Sequence, residues 1–211
     1  MTFGKIILRN KCVVLGSPTT GKTALTQLFH SDGTQYAKTY AMAQTLHCDT
    51  SLKPITIPDT QFTVDLYIHD IGCSDLFAQD WVKYAEGTTS FMIVYDVTNA
   101  DSFKDVGKWM DVVPRGVQGV LVANKTDQTS RRVVSTAQGE ELASRFGVGY
   151  FECSAVSGPY STGVEHEKLR VFSGHKYRRG GPLLLSGEHL PSNLHGRMSK
   201  LRKRRIKAVF K

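Results

Sequence analysis

The chain has 211 residues, 40% hydrophobic and 22% charged, enough for one domain with a proper core. Its formal charge of +8 is uneven: residues 1–156 hold 14 Lys/Arg against 16 Asp/Glu, whereas residues 157–211 hold 13 against 3. The basic excess therefore belongs to the last quarter and says nothing of the rest.

No apolar run approaches the roughly 18 residues that cross a membrane. MTFGKIILRNK has too short an apolar part for a secretory signal. Thr2 breaks the myristoylation pattern, and the closing AVFK has no Cys to prenylate. The four cysteines, Cys12, Cys48, Cys73 and Cys153, form no CxxC pair, which fits a reducing compartment better than zinc or a disulfide frame. A soluble cytoplasmic chain with no stable membrane anchor is expected.

In chain order, KCVVLG reads as a buried strand closed by a Gly-rich turn. KTALTQLFH follows as a helix, with Leu25, Leu28 and Phe29 on one side. ITIPDTQFTVDLYIHD reads as two strands joined at Pro58-Asp59. SFMIVYDVT is a continuous apolar strand, and ADSFKDVGKWMDVV places Phe103, Val106 and Met110 at helical spacing. GVLVANKTD is another buried strand. STAQGEELASRFG is a helix capped by Ser135 and stopped by Gly147, and YFECSA is the last strand. Strands alternating with helices predict an α/β fold with a mostly parallel sheet, whose ligands bind beyond the carboxyl ends of the strands.

GSPTTGKT, residues 16–23, matches G-x-x-x-x-G-K-[ST] between a strand and a helix. Gly16 and Gly21 let backbone N–H groups turn onto phosphate oxygens, and the helix adds its positive end. Lys22 can reach the β and γ phosphates, and the Thr23 hydroxyl can ligate Mg²⁺. Gly16, Ser17, Pro18, Thr19, Thr20, Gly21, Lys22, Thr23 and Ala24 are the expected phosphate-side contacts. The plain alternative is a glycine turn with a chance Lys-Thr.

NKTD, residues 124–127, follows a strand about 100 residues downstream. Asp127 can accept two hydrogen bonds from guanine, which adenine cannot supply. Asn124 would tie this loop to the phosphate loop, and the Lys125 stem would cover the base. Ser154, Ala155 and Val156, in and after ECSA, would lie by the guanine carbonyl. Either segment alone would pass for an ordinary turn or strand end.

GSPTTGKT, YDVTNADSFKDVGKW, NKTD and ECSA in this order resemble the Ras-superfamily small GTPases, in particular their Rab-like group, over about residues 8–156. FHSDGTQYAKTY, the IPDT turn and the lack of C-terminal cysteines resemble the Rab-like branch of intraflagellar transport. The resemblance implies a P-loop small-GTPase fold with six strands and helices on both faces. It also implies GTP or GDP with Mg²⁺ as ligands. As partners it implies proteins of the intraflagellar transport B complex, including a β-sandwich subunit, and it places the protein in the cytoplasm and the cilium or flagellum.

The family's D-x-x-G-Q stands at the end of the third strand. Here Asp70 takes the metal-holding Asp place, Gly72 falls one residue early, Cys73 stands at the Gly position and Ser74 at the Gln position. In the family's Tyr-x-x-Thr, Tyr40 fits the Tyr but Ala43 replaces the Thr, with Thr39 and Thr45 off register. Nucleotide binding is expected to survive these changes and hydrolysis to be weak or absent, with no residue assigned as catalytic. The alternatives are a one-residue slip that rebuilds the contacts, and Cys73 as a redox sensor. No basic sequence neighbour favours the latter.

Residues 157–196 contain ten Gly or Pro, and GRMSKLRKRRIKAVFK has eight basic residues and no acid. VEHEKLRVF, 164–172, could form two turns, so the family's closing helix is expected to be truncated or absent. A domain over 1–156 and a poorly structured basic extension over 157–211 are expected. The leading function is a guanine-nucleotide-binding subunit that acts by docking to proteins. An active cycling GTPase of vesicle traffic is the alternative. A nucleic-acid partner, suggested only by the tail, is not expected.

Overall fold

The computed structural model describes residues 6–31, 45, 47–57, 60–74 and 78–156. In order, the elements are β1 (Ile6–Leu15), α1 (Lys22–His30), β2 (Cys48–Thr56), β3 (Phe62–Ile71), α2 (Ala78–Ala85) and β4 (Ser90–Asp96). Then come α3 (Ala100–Lys104), α4 (Val106–Val112), β5 (Gln118–Asn124), α5 (Thr136–Phe146) and β6 (Gly149–Glu152). The six strands lie in the order β2-β3-β1-β4-β5-β6. β2 runs antiparallel to β3, and every other pairing is parallel.

Strand side chains alternate between two faces, so a central strand covered on both sides must be apolar throughout. β4 and β5 show this. Phe91, Ile93, Tyr95, Leu121 and Ala123 meet Trp81 of α2, Val106 and Trp109 of α4 and Ala143 of α5. Met92, Val94, Val120 and Val122 belong with Cys12 and Val14 to the opposite core, where α1 contributes Leu25 and Phe29. The predicted α/β class, with a mostly parallel six-stranded sheet and helices on both faces, is the observed one.

α5 opens on a capping box, in which the Ser135 hydroxyl and Gln138 side chain satisfy each other's backbone N–H groups. It closes at Gly147 in the left-handed region, φ 70°. The helix expected over 100–113 is divided at Asp105 into α3 and α4. β1 starts at Ile6 and β2 at Cys48, both earlier than the sequence suggests. The Pro58-Asp59 turn, Thr39, Tyr40, Ala43 and everything from residue 157, including the 164–172 helix candidate and the basic run, lie outside the described residues.

Parallel strands point the same way, so β1, β3, β4, β5 and β6 all end on one edge. The segments 16–21, 72–74, 97–99, 125–128 and 153–156 leave from that edge, and the motifs collect there.

Candidate nucleotide-binding site

Gly16 and Gly21 both carry positive φ, 144° and 95°. A Cβ on Gly16 would run into the Val94 carbonyl, and one on Gly21 into the Asn124 amide. Between them, Pro18 and Thr19 are exposed, while Ser17 and Thr20 are buried. The Lys22 ammonium, itself buried, donates to the carbonyls of Gly16 at 2.8 Å and Ser17 at 3.0 Å. Thr20 Oγ1 also donates to the Ser17 carbonyl, at 3.0 Å. Ala24 packs on the α1-side core.

Thr23 Oγ1 donates to Asp70 Oδ2 at 2.5 Å. Thr45 Oγ1 stands 3.1 Å from Thr23 Oγ1 and 3.5 Å from the same Asp70 oxygen. Asp70 is 3% exposed, and its Oδ1 has no hydrogen-bond partner among the described residues. Burial raises its pKa above the usual carboxylate value, against the opposing pull of Thr23 and Lys22. A buried, orphaned carboxylate oxygen beside two hydroxyls is an oxygen-only donor set that suits a hard divalent cation. These residues therefore fit Mg²⁺. Sequence register excluded Thr45, yet the structure brings it to the site.

Gly72 is held on both sides. Its N–H donates to the His47 carbonyl at 2.7 Å, and its carbonyl accepts from Trp81 Nε1 at 2.9 Å. Its amide is thus committed to the strand side. Cys73 packs half-buried on the core beneath α2 and α4, and Ser74 is half-buried after it.

Asn124 is 1% exposed and its Nδ2 donates to the Thr20 carbonyl at 2.8 Å, the link between base loop and phosphate loop expected from the sequence. Lys125, at φ 65°, places its ammonium 2.7 Å from Asp96 Oδ2. Thr126 donates through both N–H and hydroxyl to the Cys153 carbonyl, at 3.2 and 3.0 Å. Asp127 Oδ1 accepts from Ser154 Oγ at 2.5 Å, and Ser154 Oγ accepts from the Val156 N–H at 3.1 Å. Ala155 is buried beside them. NKTD and ECSA thus form one surface. The Cys153 thiol, pushed up to about 12 by burial, leans on Asn124 Oδ1 at 3.7 Å, and all four cysteines are free thiols.

Asp105 and Trp109 lie in the YDVTNADSFKDVGKW segment, but the sequence does not show that they meet the phosphate loop. Ser17 Oγ donates to Asp105 Oδ2 at 2.8 Å and accepts from Trp109 Nε1 at 3.3 Å.

A strand–loop–helix phosphate cradle tied to a guanine-type base loop on a doubly covered sheet defines a P-loop GTP-binding domain. The chain belongs to the Ras family, which matches residues 11–166. That membership implies guanine-nucleotide binding, generally with Mg²⁺. It is 41% identical over 152 residues to the intraflagellar transport protein 27 homolog of Bos taurus, covering 70% of this chain and 81% of the relative. With the Trypanosoma brucei brucei homolog it shares 33% over 154 residues, covering 72% and 82%. With intraflagellar transport protein 27 of Chlamydomonas reinhardtii it shares 34% over 156 residues, covering 70% and 76%.

Proposed function

We propose that this chain is a guanine-nucleotide-binding Rab-like subunit of intraflagellar transport that acts by docking to other proteins, with weak or absent GTP hydrolysis. The observation that supports it most is the Asn124–Thr20 hydrogen bond, which makes the base loop and phosphate loop one unit while Ser74 stands where a water-orienting Gln is usual. The relatives named for intraflagellar transport support a setting in the cilium or flagellum, and the cytoplasm is proposed with it. The proposed partners are proteins of the intraflagellar transport B complex, among them a β-sandwich subunit.

In this reading the N–H groups of residues 16–24 hold the phosphates and Lys22 moves from the loop carbonyls to phosphate oxygens. Asp127 reads the guanine N–H groups, with Ser154, Ala155 and Val156 at its carbonyl. Thr23, Asp70 and Thr45 hold Mg²⁺. The metal's contribution when bound is to neutralise phosphate charge. Thr45 at the site favours a second reading, a cycling GTPase whose first switch still senses the γ-phosphate. Chromatography of the nucleotide released from denatured, purified protein tests the reading. Retained GTP or GDP supports it, retained GTP favours weak hydrolysis, and retained ATP overturns it.

A further inference from the structure

The chain has two tryptophans. Both lie in the core between the phosphate loop and the segment after Asp70, and neither is part of a nucleotide motif. Trp81 is 4% exposed and Trp109 2%, and their rings meet at 4.6 Å between centroids, tilted by 47°. Each spends its one N–H on a different functional arm: Trp81 Nε1 on the Gly72 carbonyl at 2.9 Å, Trp109 Nε1 on Ser17 Oγ at 3.3 Å. The Lys108 ammonium lies over both rings, 5.0 and 5.6 Å from their centroids.

We propose that Trp81 and Trp109 are positioning residues that join the phosphate loop at Ser17 to the arm at Gly72, so that discrimination between guanosine di- and triphosphate passes through the indole pair. The inference rests on the proposed nucleotide-binding function.

The links are continuous. The Ser17 carbonyl carries the Lys22 ammonium, the group that must shift when phosphates arrive. The Ser17 hydroxyl is fixed by Asp105 and Trp109 together. Trp109 packs on Trp81, and Trp81 holds Gly72, two residues beyond the metal-site Asp70. An indole has one donor and no acceptor, so neither ring can release its oxygen without leaving a buried N–H unpaired. Packed side chains of this kind move as discrete units and not by continuous deformation. A displacement at either end is therefore delivered to the other.

The experiment uses the full chain with Mg²⁺, loaded with GDP or with GTPγS. Both tryptophans report on the link itself, so the expected result is a difference in intrinsic tryptophan emission between the two states. Trp109→Phe and Trp81→Phe keep an aromatic ring and remove the N–H. Asp105→Ala removes the acceptor of the Ser17 hydroxyl from a partly exposed position and spares the core. Each is expected to change the ratio of GDP to GTPγS affinity by about fivefold or more, the lower end of ordinary coupling between sites. The double Trp variant is expected to do no more than the stronger single, because the two share one path. If both nucleotides bind but emission is the same in the two states, or all variants keep the wild-type ratio, the inference is overturned while the function stands. If neither nucleotide binds, both fall.

Discussion

Asn124 and Thr20, 104 residues apart, are joined by a buried 2.8 Å hydrogen bond from the Asn124 amide to the Thr20 carbonyl. Gly21 beside it has no room for a Cβ because that amide fills the space. Asn124→Ala would leave the Thr20 carbonyl buried and unpaired, at roughly 1–3 kcal/mol. Release of fluorescently labelled GDP is expected to quicken by about 5- to 150-fold, measured by stopped flow with excess unlabelled nucleotide. An unchanged rate would mean the two loops hold nucleotide independently.

Asp127 is the residue proposed to read the base. Two guanine donors satisfy its carboxylate, and adenine offers neither, so GTP and GDP are expected to bind at least ~100-fold more tightly than ATP. Asp127→Asn turns acceptors into a donor pair on one side and should move preference toward xanthine nucleotides. Competition binding with XDP, GDP and ADP measures both; equal affinity for ATP sinks the assignment.

Ser74 is the residue on which the proposal of weak hydrolysis turns. With a hydroxyl where a Gln amide usually orients water, intrinsic hydrolysis is expected at or below ~10⁻⁴ s⁻¹. Single-turnover loss of γ-phosphate gives the rate directly. Much faster hydrolysis that vanishes in Ser74→Ala would show that this segment is catalytically competent after all.

The Thr23, Thr45 and Asp70 oxygens should make nucleotide release depend on Mg²⁺. Chelation is expected to speed GDP release in the wild type. Thr45→Val keeps shape and removes one oxygen, so it should raise the Mg²⁺ concentration needed to retain GTP. A titration identical to wild type would remove Thr45 from the metal site.

Asp96 carries the acid response. Burial works against its charge, but the Lys125 ammonium and the hydrogen bonds from Thr98 outweigh that and hold its pKa below the usual carboxylate value. A depressed folded-state value contributes stability that is complete above the unfolded value of about 3.9 and is lost as pH falls through the folded one. Urea midpoints measured from pH 7 down to 3 should therefore fall at the acid end, and Asp96→Asn should flatten that fall. Equal slopes would show that the Lys125–Asp96 pair adds nothing.

Much of this was legible because the phosphate and base loops depend on local spacing beside strongly apolar strands. KCVVLG and GVLVANKTD announce both strand and loop. Legibility fades where tertiary contacts decide. β2 alternates between exposed and half-buried residues, so only its last, more apolar residues read as a strand. The first half of β1 pairs with β3 alone, since its pairing with β4 begins at Cys12, and it lacks the fully apolar signature. The helix over 100–113 divides where the Asp105 side chain reaches Ser17, a partner 88 residues away. Thr45 stands beside Thr23 and Asp70 although the motif's register does not include it. The tryptophans are hard to read for another reason: an indole in a helix passes for core, and only the fold shows that its N–H is spent on Ser17 or Gly72.

β2 forms one rim of the described sheet, and its chemistry limits how that sheet can meet another protein. A bare strand rim is a template onto which a second chain can add by main-chain hydrogen bonding. Lys53 and Pro54 stand in the middle of this one, across from Leu66 and Asp65. Pro54 has no N–H to offer an incoming strand, while Lys53 turns its ammonium onto α1, 2.6 Å from the Phe29 carbonyl. Zippering along β2 is therefore interrupted at its centre, which guards a long, half-exposed strand against self-assembly. A partner that added a strand along β2 would forgo a main-chain hydrogen bond at Pro54, so side-chain contacts would have to carry more of its hold on this side.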